Sequence, residues 1–86
     1  MRRYYFDFRD GGSVVLDDEG VELATLQSVQ AEAARALADL ARDALWGHAK
    51  HALAHRMEVQ VRDDLGTVLR AKLTFEVVQR QQAARR

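Results

Sequence analysis

Apolar and polar residues alternate along the start of the chain, with Tyr4, Phe6 and Phe8 on one face and Arg3, Tyr5, Asp7 and Arg9 on the other. A period of two belongs to a strand with one buried side, so residues 3 to 9 are predicted to form a first strand. Asp10-Gly11-Gly12 then supplies residues that accept the positive φ of a tight hairpin, and Ser13-Val14-Val15-Leu16 returns as a second strand. From Thr25 to about Trp46 the period changes: Leu26, Val29, Ala33, Leu37, Leu40 and Ala44 recur at threes and fours, with Gln30, Glu32, Arg35, Asp39, Arg42 and Asp43 between them. That is one amphipathic helix. Thr25 is its expected N-cap, and Gly47 stands where a left-handed residue closes a last turn. Alternation resumes in Met57, Val59 and Val61, and again in Leu69, Ala71, Leu73 and Phe75, which predicts two further strands facing the same core.

The order strand, strand, helix, strand, strand predicts an α+β fold, ββαββ, with one long helix packed on a four-stranded antiparallel sheet. A spatial order of 2-1-3-4 is expected because it keeps every neighbour antiparallel. Residues 1–79 are read as a single α+β domain and 80–86 as a basic, flexible C-terminal tail, since "RQQAARR" carries three arginines and no apolar period.

Composition narrows the chemistry. The chain has 86 residues, which suits one domain with a thin core, so a homodimer is expected. It has no cysteine, which removes disulfides, thiolate metal sites and thiol nucleophiles. Thirteen basic residues balance thirteen acidic ones, and the overall field therefore favours neither nucleic acid nor an anionic membrane. No apolar run approaches a bilayer span, and a cytoplasmic location without membrane contact is expected.

"RDGGSVVLDDEG", from Arg9, is answered by "RDDLGTVL", from Arg62. In the second, Asp63 and Asp64 suit the start of a type I turn and Gly66 its left-handed position. Asp17-Asp18-Glu19-Gly20 repeats that grammar, so the aspartates are read as solvated turn residues. A calcium loop beginning at Asp17 would put Val21 and Leu23 at ligand positions and Ser28 at the end, and does not fit. Ser13, Ser28, Thr25, Thr67 and Thr74 occupy no nucleophile elbow, and no enzyme activity or cofactor is expected.

Two sets of residues are site-like. His48, His51 and His55 are spaced three and four apart, as a helical zinc site would require. Gly47 should end the helix before them, and the segment must become a strand by about His55, so they are read as a connector and no metal is expected. The outward face of the sheet should carry Arg56, Arg62, Arg70 and Lys72, together with Arg3 and Arg9, against Asp7, Glu58 and Glu76. These are the candidate nucleic-acid contacts, aided by the basic tail. Base stacking needs exposed aromatics, however, and only Tyr5 points outward, so nucleic acid binding stands as the alternative to a non-enzymatic binding or assembly module.

"YYFDFRDGG", "DDEGVEL", the helix from Thr25 and "MEVQVRDDLGTVL" occur in an order that resembles a family of short bacterial proteins catalogued as a domain of unknown function. The resemblance covers residues 4 to about 78 and implies a small cytoplasmic protein with no activity or site residues to carry over. Family members often place a proline or an acidic residue just before the helix, where this chain has Ala24-Thr25. A weaker likeness, to small antitoxin domains, implies a protein that binds a partner, although the Gly-Cys loop of those domains is missing.

Overall fold

The computed structural model describes residues 1–43, 54–76, 78 and 80, with the backbone alone at 54 and 55. The elements are β1 (Arg2–Asp10), β2 (Ser13–Val15), β3 (Val21–Leu23), α1 (Leu26–Asp43), β4 (Ala54–Asp63) and β5 (Gly66–Glu76). Helix α1 covers one face of an antiparallel sheet ordered β2-β1-β4-β5, with β3 also paired to β1. With β3 set aside, this is the order and the α+β class the sequence implies. Trp46, Gly47, His48, His51 and the tail from residue 81 lie outside the described residues.

β3 is the departure. It lies on the same edge of β1 as β2 does, β2 in register with Phe8–Asp10 and β3 with Arg2–Tyr4, while β4 occupies the other edge. β2 and β3 are thus one return strand broken in the middle, where Leu16–Gly20 faces only Tyr5–Asp7. The surplus residues cannot stay in the ladder and loop out of it, as in an enlarged bulge.

The turns follow their residues. Gly11 has φ 63° at the first position of the two-residue loop joining β1 to β2, where a type II′ turn places glycine. In the β4–β5 hairpin Gly66 has φ 126°, and the Asp63 carboxylate accepts the Leu65 N–H at 2.8 Å. Thr25 caps α1: its Oγ1 accepts the Ser28 N–H at 3.0 Å and donates to Ser28 Oγ at 2.9 Å. The Ala24-Thr25 start therefore serves without a proline or an acid.

The core lies between α1 and the sheet, with Val29, Ala33, Leu37 and Ala41 against Phe6, Met57, Val59 and Val61. The buried helical row advances by fours, and Leu26, expected in it, lies one residue off that row and is 56% exposed. Among the described residues the largest fully buried side chains are valines, Val29, Val59 and Val61, so the core is thin. α1 sits chiefly over β4 and β5 and less over β1. The inner face near β2 is left without its cover. Among the described residues, no helix is long and apolar enough to cross a membrane.

Candidate functional site

The sheet face away from α1 carries Tyr5, Asp7 and Arg9 from β1, Arg56, Glu58, Gln60 and Arg62 from β4, and Arg70, Lys72 and Thr74 from β5. Period two places them there, and the register decides which of them meet. Tyr5 is opposite Arg62, Arg9 opposite Glu58, and Glu58 opposite Lys72.

Asp7 is not the solvated charge its position suggests; it is 5% exposed. Arg62 Nε donates to its Oδ2 at 2.8 Å, and the Asp17 N–H donates to its Oδ1 at 2.9 Å. Arg62 Nη2 also reaches the Asp17 carbonyl at 2.9 Å, and the Arg62 guanidinium stands 4.7 Å from the centre of the Tyr5 ring. Asp17 repairs the break in the return strand: its Oδ2 accepts the Phe6 N–H at 3.1 Å, supplying the bond a continuous ladder would have given. Its Oδ1 accepts the N–H groups of Glu19 and Gly20 at 3.0 and 3.2 Å. Burial pushes the Asp17 carboxyl upward, but the three backbone donors and the nearby Arg62 charge outweigh it and hold the group below the usual range. Arg62 is held further into its charged form by the hydrogen bond to Asp7.

The aspartates of the turns are therefore only partly what the sequence suggested. Asp64 is exposed, as a solvated turn residue should be. Asp63 is not: its side chain is 8% exposed, accepts the Leu65 N–H and pairs with Arg2 at 3.1 Å. Hydrogen bonding by Leu65, more than the Arg2 charge, holds its carboxyl low. Asp17 uses turn chemistry on one oxygen and ties distant backbone with the other.

The candidate nucleic-acid residues divide in two. Arg62 is consumed by Asp7 and Asp17, and Arg70 stands 3.8 Å from Glu58. Arg56 and Lys72 form no ion pair among the described residues, and they line a hollow of about 500 Å³ with Arg9, Gly11, Glu58 and Thr74. Arg9 belongs to this group only through the β1–β4 register, which residue periodicity does not contain. Tyr5 lies against Arg62 and is half-buried, so the outward aromatic is no open stacking platform.

A second concavity, of about 330 Å³, opens on the other side of β1. It is lined by Phe6, Phe8, Val15, Leu16, Val21 and Ala36, with Asp17, Asp18 and Glu32 at its rim. Val14, Val15 and Leu16 are exposed by 49, 62 and 67%. An apolar strip of this kind is matched by no predicted site. Its signal in the sequence is the run Val14-Val15-Leu16, which does not alternate as a strand with one solvated face should.

The zinc candidates are not assembled by the described structure. His48 and His51 lie outside it, and His55 is placed only by its backbone, in β4 opposite Phe75. Among the described residues no group of three His, Cys, Asp or Glu side chains could hold a metal ion, and no buried side-chain nitrogen or oxygen lacks a hydrogen-bond partner. Residues 3–75 match a family described as Domain of unknown function (DUF6894). No curated protein and no solved structure matches the chain.

Proposed function

The chain belongs to that family, and from there we propose that it is a non-enzymatic, cytoplasmic assembly module that pairs with a second copy of itself. The observation that carries this reading is the uncovered apolar strip Val14-Val15-Leu16 beside the groove formed by Phe8, Val21 and Ala36. A fold whose largest fully buried side chains, among the described residues, are valines has little to lose by sharing that strip with a partner. Burying it in water-excluding contact contributes roughly 25 cal/mol for each Å² removed from solvent. A two-fold arrangement presents the same patch on both copies and closes without leaving a further sticky surface.

The non-enzymatic part is supported by how the titratable groups are used. Asp7, Asp17 and Arg62 are tied to one another and to the backbone, and Glu32 at the rim of the groove pairs with Arg35, so these charges serve the fold. Catalytic acids and bases need a substrate within hydrogen-bond reach.

Leu16→Asp tests the reading, because residue 16 is 67% exposed and the change does not disturb the core. Light scattering on a sizing column is expected to give half the mass of the unaltered protein for this variant. Equal masses for the two proteins at the same concentration would refute the proposal.

A further inference from the structure

We infer that the hollow between Arg9, Arg56 and Lys72 is a binding site for a small phosphate-bearing anion. Three strands each supply one of these cations, Arg9 from β1, Arg56 from β4 and Lys72 from β5, and none of the three forms an ion pair among the described residues. On the rest of this face the cations are answered: Arg3 pairs with Glu22, Arg62 with Asp7 and Arg70 with Glu58. Among the described residues that line the hollow, Glu58 is the one carboxylate, in register between Arg9 and Lys72 and 3.8 Å from Arg70, while Glu76, on the same face, lies beyond Thr74 and opposite Ala54. The surplus of positive charge is therefore local, in a chain whose formal net charge is zero.

Shape and chemistry agree with that charge. Gly11 is next to Arg56, its N–H donating to the Arg56 carbonyl at 3.3 Å, and a side chain added at Gly11 would meet nothing within 4 Å. Gly11 therefore borders the hollow with backbone alone. Two planar guanidinium forks and an ammonium, mounted on separate strands with the Thr74 hydroxyl alongside, can reach different oxygens of one tetrahedral anion. A tetrahedral anion directs its oxygens out of any one plane, which suits three cations mounted on separate strands better than the two coplanar oxygens of a carboxylate do. The hollow, about 500 Å³, has the volume of a small-molecule site, and among the described residues no aromatic side chain lines it for a base to stack on. A phosphate group, as inorganic phosphate or as a monoester on a small metabolite, is the ligand this arrangement fits.

The test is an amide chemical-shift titration with inorganic phosphate against sodium chloride at matched ionic strength, repeated with a nucleoside monophosphate and with a single-stranded oligonucleotide. Phosphate is expected to shift Arg9, Gly11, Arg56, Lys72 and Thr74 along a saturating curve, and chloride to leave them in place. A tighter curve for the monophosphate with the same amides moving would assign a phosphorylated metabolite; equal curves would assign phosphate itself. Arg56→Gln and Lys72→Gln, both at exposed positions, are each expected to weaken phosphate binding roughly tenfold, the loss of one charge-assisted hydrogen bond. Arg42→Gln, on the exposed side of α1, is the control and should change nothing. Non-saturating shifts, equal shifts with chloride, or unaltered phosphate binding by both variants would overturn the inference. So would an oligonucleotide that binds more tightly than the monophosphate and shifts Arg3 and Arg70 as strongly as Arg56.

Discussion

At the scale of residues, Gly20 and Asp17 decide whether the broken return strand holds together. Gly20 has φ 75°, and a Cβ there would stand 2.9 Å from Arg3 Cγ and Tyr5 Cε2 and 3.0 Å from the Tyr4 carbonyl. Gly66 also has a positive φ but faces open space. Gly66→Ala should therefore cost about 1 kcal/mol, from backbone strain alone, and Gly20→Ala about 2–4 kcal/mol, because overpacking adds to the strain. Urea denaturation would check the ranking, and equal losses would contradict the packing of the loop onto β1. Asp17→Asn keeps one acceptor and turns an amide donor toward a backbone N–H, so a loss of about 1–2 kcal/mol is expected, against almost none for the exposed Asp64→Asn. Both Asp17 and Asp63 are held below their ordinary pKa in the folded chain. Their contribution to stability is therefore complete above the unfolded carboxylate pKa of about 3.9 and is lost as pH falls through the folded values. Urea midpoints measured from pH 7 downward should stay level until that region and then drop, and Asp17→Asn should flatten part of the drop. Turn glycines and the Thr25 cap are legible from sequence because each acts on backbone a few residues away. Asp17 is not, because its Oδ2 is defined by Phe6, on another strand.

At the scale of elements, the strands and the helix follow from hydrophobic period, while β3 does not. Val21-Glu22-Leu23 is too short for a period to show, and it becomes a strand only because β1 offers it an unfilled edge. The same gap hides the burial of Asp7, since alternation puts it on the outward face and only the looped-out Leu16–Gly20 segment, with Arg62, encloses it there. Leu26 shows the converse error: spacing by threes and fours admits two rows, and packing on the sheet selects the row by fours from Val29. Hydrogen exchange tests the repaired strand. The Phe6 amide should be protected in the unaltered chain, and Asp17→Ala should speed its exchange, with those of Glu19 and Gly20, far more than that of Val59 in central β4. Uniform acceleration would mean that Asp17 only contributes to global stability and does not stand in for a ladder acceptor.

At the scale of the whole molecule, one helix serves a sheet that is wider than it can cover, and the remainder falls at β2. The sequence announces a thin core through its length, and the expectation of a partner comes from there; it does not announce which surface is left over, because that depends on where α1 comes to rest. With α1 chiefly over β4 and β5, Val14 and Val15 of β2 and Leu16 after it form the longest run of exposed large apolar side chains among the described residues. Self-association through that strip is read out by sedimentation equilibrium of the unaltered chain. Across a hundredfold range of concentration centred on the micromolar, the weight-average mass is expected to rise toward twice 9.7 kDa, while a single species of 9.7 kDa at every concentration would rule the dimer out.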